Sequence, residues 1–162
     1  MSKAYPSVKT AAMVSDGVGD DAGKKIKGRK RFITVDTLGL VLRVLLTAAN
    51  ITEREGGIQV LPRVKQTGRT VWRLHTIWVD GGFSGDNFCQ LVMDVCHWIV
   101  QVVLRPKEHQ GFVVLPKRWV VERTFGWLMN CRRLTRDYEK LPATSETLIY
   151  LAMIRIMVRR LA

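Results

Sequence analysis

The chain has 162 residues, a length that suits a single domain with a substantial hydrophobic core. Hydrophobic residues make up 47% of it, which argues against a disordered chain. Lys and Arg number 26 against 14 Asp and Glu, and the formal charge of +12 indicates a polyanionic partner, most often DNA or RNA. Charge for solubility alone would be smaller. An anionic membrane surface is a weaker alternative, because the sequence shows no lysine-rich amphipathic helix at either terminus.

The longest strongly apolar runs, such as residues 98–104, have the length of a strand and are too short to span a membrane. The first residues lack the apolar stretch of a signal peptide. Cys89, Cys96 and Cys131 are odd in number and form no C-x-x-C pair. These features predict a reduced, cytoplasmic protein.

Residues 1–30 are rich in Gly, Asp, Lys and Ser, and this composition predicts a loop or arm. The arm ends in a dense basic cluster that includes Lys27, Arg29, Lys30 and Arg31. The cluster is either a solvated tail or a loop that contacts phosphates. Because it runs directly into a strand, we favour the phosphate contact.

Residues 32–35 and 40–49 predict two strands of an antiparallel hairpin around a turn at 36–39. Residues 52–61 favour a helix, although Gly56, Gly57 and Pro62 weaken that prediction. Residues 71–79 predict a third strand, which ends at Asp80.

Ser84 is predicted as the N-cap of a second helix, because Asp86 follows in the first turn. An apolar stripe at helical spacing continues it, formed by Phe88, Leu91, Val92 and Val95. The apolar character of residues 98–104 predicts a fourth strand that is buried on both faces.

After a polar loop at 105–111, Pro116 is predicted to open a helix that runs to about residue 134. Pro142 is predicted to break the chain, and residues 146–160 form a last helix with Arg155 and Arg159 one turn apart. Strands alternating with helices in this order predict an α/β domain with a mixed sheet flanked by helices.

Asp80 is the first candidate for chemistry, because it ends an apolar strand at a Gly81–Gly82 turn. Open α/β sheets bind ligands at the carboxyl ends of their strands. The alternative is an ordinary Asp-Gly turn, which is very common.

Glu122 is the second candidate. A helical wheel places one apolar arc on the third helix, formed by Val120, Val121, Thr124, Trp127, Leu128 and Cys131. A second arc holds Arg118, Glu122, Gly126, Met129 and Arg133. Glu122 is therefore either half of a surface ion pair with Arg118 or a metal-binding carboxylate beside arginines that hold a phosphodiester.

Other candidates are weaker. Asp36 is more typical of a hairpin turn than of a metal ligand, and His75, His97 and His109 have no metal-binding spacing. Cys89 and Cys96 fit a helix core better than a zinc site. The sequence contains no phosphate-binding glycine loop of the GxxxxGK[ST] or GxGxxG type and no GxSxG serine motif.

Four segments together resemble the insertion-sequence five family of bacterial transposases: residues 28–39, 78–85, 118–128 and 131–139. The resemblance covers the chain from about residue 7 to its end, in order. It implies a DDE transposase catalytic domain with an RNase H-like fold in residues 31–162, preceded by a basic arm that keeps a remnant of the first strand. The resemblance further implies a bacterial protein associated with the nucleoid.

In that family three carboxylates hold two Mg²⁺ or Mn²⁺ ions, which activate water and later a DNA 3′-OH for attack on phosphodiesters. The resemblance implies that Asp80 and Glu122 are the second and third carboxylates. It implies DNA contacts for Arg118, and we expect the same of the neighbouring basic residues Arg123, Arg132 and Arg133. The partners are then transposon ends, target DNA, and a homo-oligomer or a mixed assembly with intact transposase.

Two positions depart from the family pattern. Ala4 stands where the first catalytic Asp is expected, before Ser7, Val8 and Lys9. Met129 and Asn130 replace a basic residue expected about two turns after Glu122. We therefore expect the C-terminal portion of a transposase, translated from a truncated or frameshifted element.

Three hypotheses follow. The chain is a transposase that cuts and joins DNA, or a non-catalytic DNA-binding remnant, or an unrelated RNA-binding domain. The first needs a third carboxylate, for which Asp16, Asp20 and Asp21 are weak candidates because a flexible loop holds metal ligands poorly. The third is disfavoured, since the aromatic residues lack the paired stacking pattern of common RNA modules.

Overall fold

A computed structural model of the chain describes residues 2–4, 7–14, 16–104 and 117–161. These residues form a mixed α/β fold with helices on both faces of one sheet, which confirms the predicted fold class. The strands described are β1 (Ser2–Ala4), β2 (Val8–Lys9), β3 (Gly19–Asp21), β4 (Ile26–Val35), β5 (Val41–Ala48), β6 (Thr76–Asp80) and β7 (Ile99–Val103). The α-helices described are α1 (Glu53–Lys65), α2 (Asp86–Cys96), α3 (Arg118–Met129) and α4 (Pro142–Leu161).

The long strand β4 organises the sheet. One of its edges pairs with β1 and β2, and the other pairs with β3 and β5, all antiparallel. Beyond β1 lie β6 and β7, which run parallel to each other. β1 is also parallel to β6, so the strands β1, β6 and β7 all end at one edge of the sheet.

The hairpin prediction is confirmed, since β4 and β5 pair around a turn in which the Asp36 carboxylate accepts hydrogen bonds from the Leu38 and Leu40 amides. The loop predicted for the basic cluster is wrong. β4 begins at Ile26, so Lys27, Arg29, Lys30 and Arg31 of the cluster lie within a strand, and three further short strands occupy the predicted arm. A domain boundary at residue 30 stays a prediction.

The helix predicted at 52–61 is confirmed and is longer, because α1 continues through Pro62 to Lys65. Thr52 caps it in a capping box with Glu55, and this box stabilises the first turn. The two glycines allow close packing. A Cβ on Gly56 would overlap the Phe32 ring, and one on Gly57 would crowd Phe83.

Several predicted boundaries are corrected. β6 starts only at Thr76, because Gly68–Val71 form a 3-10 helix. The N-cap of α2 is Gly85, whose φ of 139° is a backbone conformation that favours glycine, and not Ser84.

The stripe predicted for α2 is only partly buried. Phe88 and Val92 face the core, whereas Val95 is exposed.

The strand at 98–104 exists as β7, but it is not buried on both faces. It lies at the end of the described sheet path, and Ile99 and Leu104 are largely exposed. The apolar sequence therefore belongs to a strand at the edge of the sheet. Pro142 begins α4 instead of breaking the chain, which agrees with the tolerance of proline in a first helical turn. Pro116 and the loop at 105–111 lie outside the described residues.

Two cores form on opposite faces of the sheet. The first joins α1 and α2 to the sheet through side chains that include Phe32, Val79, Phe83 and Phe88. The second joins α3 and α4 through side chains that include Ile33, Val35, Val121 and Ile149. Alternation of side chains along β4 explains the division, because Phe32 and Ile33 point to opposite faces.

Candidate active site

Asp80 is the last residue of β6 and is half-buried. Its backbone is extended, and its Oδ1 accepts a hydrogen bond of 2.8 Å from the Gly81 amide at the start of a 3-10 helix, Gly81–Phe83. The turn therefore fixes the carboxylate at the sheet edge, where parallel strands place ligands.

Ala4 ends β1 at this same edge. Ser2 pairs with Val79 in parallel register, so the residue two positions on from Ser2 lies level with the turn that follows Asp80. The backbone thus brings position 4 and Asp80 to neighbouring strand ends, although position 4 carries no carboxylate.

Glu53 is a carboxylate at this turn that the sequence did not reveal. It is the first residue of α1, and its Oε2 occupies the space that a Cβ on Gly82 would need. Arg54 approaches Gly85 in the same manner, with its Cζ 3.3 Å from the position of a Cβ there. The first turn of α1 therefore packs over the loop after Asp80. The capping box of α1 is visible in the sequence, but nothing in the sequence indicates that the first turn of α1 contacts the loop after Asp80.

Glu122 lies on α3 and is exposed, which agrees with its predicted position outside the core. The start of α3 is held against β6, because the Lys117 Nζ lies 3.3 Å from the centroid of the Trp78 ring. Trp78 is two residues before Asp80 and shares its sheet face. Nothing is described of the Arg118 side chain, so its predicted DNA contact lies outside the described side chains.

Arg123 stacks between two tryptophans. Its Cζ lies 4.5 Å from the Trp119 ring centroid and 4.7 Å from that of Trp127, and its Nη2 donates to the Leu38 carbonyl. Trp119 keeps 47% of its surface exposed. This arrangement presents an aromatic and cationic stripe along α3, with charge already fixed in place.

The phosphate contact predicted for the basic cluster at 24–31 is not supported for three of its residues. Arg29, Lys30 and Arg31 are buried. Lys30 donates to the Ile51 carbonyl at 2.7 Å and Arg31 to the Leu134 carbonyl at 2.7 Å. These three cations bind the protein itself, because a buried charge must find partners within the protein. Lys27 is exposed, and its DNA contact stays a prediction.

Arg132 and Arg133 are both exposed, in a 3-10 helix at Arg132–Leu134. Arg133 is engaged by Glu139, whose Oε1 accepts from its Nε at 3.0 Å and from its Nη2 at 2.6 Å. Arg132 is thus better placed for a phosphate than Arg133.

Asp20 and Asp21 lie on β3, across β4 from Asp80. Gly28 of β4 pairs with Lys9 on one edge and with Gly19 on the other, so β3 is on the edge remote from β1 and β6. The Asp21 carboxylate accepts from the Ser7 hydroxyl at 2.5 Å, and this bond holds the pKa of Asp21 below its ordinary value. The Asp16 carbonyl accepts from Arg29. These positions do not favour a substitute ligand beside Asp80.

Within the described part of the chain, no three His, Cys, Asp or Glu side chains come together as a metal-binding group. The same residues include no helix long and apolar enough to cross a membrane.

A family model described as the transposase DDE domain matches residues 9–157. The chain belongs to the transposase DDE domain family. A curated protein of Burkholderia cepacia, named "Putative transposase for insertion sequence element IS402", is 29% identical over 117 residues.

That alignment covers 70% of this chain and 54% of the relative, so the chain spans about half of the relative's length. No solved structure matches the chain. The two matches identify a DDE-superfamily insertion-sequence transposase sequence, whereas the narrower insertion-sequence five family stays a prediction.

Proposed function

We propose that this chain is a DNA-binding transposase DDE domain whose phosphodiester-cleaving site lacks its first carboxylate. The observation that carries the proposal is the parallel register of β1 and β6, with Ser2 opposite Val79. It puts Ala4 at the strand end beside Asp80, where the DDE arrangement expects an acid. A methyl group there binds no cation.

The donor set supports binding more than catalysis. DDE chemistry generally uses divalent metals, and hard cations such as Mg²⁺ require several oxygen ligands. Asp80 and Glu122 offer carboxylates on β6 and α3, but the described residues do not supply a three-carboxylate group. The residues described here therefore do not fit the full two-metal site, and we expect cleavage by this chain to be severely weakened.

DNA binding is supported by charge. The sequence carries +12, and the α3 stripe of Trp119, Arg123 and Trp127 offers one fixed cation beside the exposed ring of Trp119. We propose transposon ends and target DNA as ligands, and a mixed assembly with intact transposase as the route by which such a chain would interfere with transposition.

A second candidate is an active nuclease in which Glu53 replaces the missing acid. Its support is the close approach of the Glu53 carboxylate to Gly82, two residues beyond Asp80. Glu53 sits on a capped helix, so it is held more firmly than an acid on a loop.

A nicking assay on supercoiled DNA with Mg²⁺ or Mn²⁺ separates the two candidates. The native chain is compared with Ala4→Asp, Glu53→Gln and Glu122→Gln. If only Ala4→Asp nicks DNA, and the double variant Ala4→Asp/Glu122→Gln does not, the result supports a site whose first carboxylate is missing. Nicking by the native chain that Glu53→Gln abolishes supports the second candidate. DNA binding without nicking by any variant leaves only the binding function.

A further inference from the structure

A basic pocket lies between α3 and α4, on the same sheet face as the α3 stripe. It adjoins the C-terminal end of the stripe, because Trp127 belongs to both. It encloses about 290 Å³. Its lining consists of Trp127, Asn130, Cys131, Arg155, Ile156, Arg159 and Arg160. Three of these residues are arginines, and no Asp or Glu is among them.

Among the residues that the structure describes, the three arginines have no anionic partner. Arg155 and Arg159 make no hydrogen bond or ion pair with any residue in the described part of the chain, and both are exposed. They are four residues apart on one helix, where like charges repel. A surface that concentrates cations in this way is stabilised by an anion that binds between them.

The third arginine is already oriented. The Arg160 Cζ lies 4.1 Å from the centroid of the Trp127 ring. Arg123 stacks on the same ring at 4.7 Å, so this tryptophan contacts two guanidinium groups. Stacking uses the face of a guanidinium and leaves its N–H groups at the edge for a phosphate. Less side-chain freedom is then lost on binding.

We propose that Arg155, Arg159 and Arg160 form a clamp for backbone phosphates of DNA, separate from the residues around Asp80. The clamp rests on the proposed DNA-binding function and extends the DNA path from the α3 stripe across to α4. Cys131 and Asn130 line the pocket, so DNA in the clamp would cover them.

The first test is the salt dependence of binding to a labelled DNA duplex, measured by fluorescence anisotropy. Each phosphate contact that is removed lowers the slope of log K against log salt by about 0.9. We expect Arg155→Ala and Arg159→Ala each to lower it by about that amount and to weaken binding at low salt several-fold. Arg63→Ala is the matched control, because Arg63 is an exposed arginine near the end of α1, on the opposite sheet face. It should leave the slope unchanged.

The second test uses the native cysteines. Cys131 and Cys89 are both half-buried, but only Cys131 lines the clamp. Bound duplex DNA should protect Cys131 from alkylation and leave Cys89 reactive. Inorganic phosphate, at the same ionic strength, should not displace the duplex.

The outcomes separate the clamp from the proposed function. The clamp is overturned if Arg155→Ala and Arg159→Ala have the same salt-dependence slope as Arg63→Ala. It is also overturned if bound DNA leaves Cys131 reactive. Displacement of the duplex by inorganic phosphate assigns the pocket to free anions and also overturns it. Failure of the native chain itself to bind DNA in a salt-dependent way rejects the proposed function, and the clamp with it.

Discussion

Arg29 and Asp137 form a fully buried ion pair, with 3.1 Å between the Arg29 Nη1 and the Asp137 Oδ2. The guanidinium also donates to the backbone carbonyls of Asp16, Glu139 and Lys140. The pair therefore ties β4 to the segment that precedes α4. Asp137 is further fixed by the Ser145 hydroxyl, which donates to its Oδ1 at 2.6 Å.

We expect Asp137→Ala to destabilise the fold by about 3–5 kcal/mol, because it leaves a buried arginine without its counter-charge. Urea unfolding followed by circular dichroism measures this. Arg133→Ala is the control, since the Arg133–Glu139 pair is largely solvent-exposed on the arginine side. Its loss should change the free energy of unfolding by about 1 kcal/mol or less. Equal effects of the two substitutions would contradict a structural role for the buried pair.

Two helical glycines should respond in opposite ways to alanine. A Cβ on Gly56 would overlap the Phe32 ring in the core, so Gly56→Ala should destabilise the protein by about 1–3 kcal/mol. Gly126 in α3 has no atom within 4 Å of its Cβ position. Gly126→Ala should therefore stabilise α3 by about 0.5–1 kcal/mol. Thermal unfolding of both variants measures the difference. Stabilisation by both would show that the packing around Phe32 accommodates a methyl group, and destabilisation by both would contradict the open space at Gly126.

The predictable parts of this fold were those encoded locally. The β4–β5 hairpin follows from β-branched runs around a turn, and the solvent-facing position of Glu122 follows from helical periodicity. The burial of Arg29 was not predictable, because its partner Asp137 is more than a hundred residues away. Charge in a sequence does not say which way a side chain points in a strand.

The site shows the same limit. Asp80 could be located because a strand, an acid and two glycines are contiguous in sequence. Glu53 could not, since its approach to Gly82 depends on how α1 packs across the sheet. The arginines of α4 were visible one turn apart, but their common pocket with Trp127 depends on the packing of α3 against α4.

Gly82→Ala should move the Glu53 carboxylate without unfolding the protein. The added methyl group meets only the carboxylate end of Glu53, which can turn about its outer torsions while its backbone stays fixed in α1, and we expect a stability change within about 1 kcal/mol. If Glu53 supports cleavage, nicking by the native chain falls in Gly82→Ala as it does in Glu53→Gln. Gly126→Ala is again the control, because it adds the same methyl group in open space. Nicking that survives Gly82→Ala but not Glu53→Gln would place the carboxylate elsewhere during cleavage.

Acid should weaken the contact between Ser7 and Asp21. The Ser7 hydroxyl bond, aided by the Lys24 amide, lowers the folded-state pKa of Asp21 below its ordinary value. A carboxyl group with a lowered folded pKa contributes stability above its unfolded pKa, near 4, and loses this contribution as the pH falls through the folded value.

Asp21→Asn should therefore be less stable than the native chain at pH 7, and the gap should close as the pH falls below about 4. Urea unfolding at pH 7, 5 and 3 measures the gap, and Asp94→Asn serves as the control, because Asp94 is an exposed carboxylate of α2. A gap of constant size across this range would mean that the hydroxyl bond does not depend on ionised Asp21.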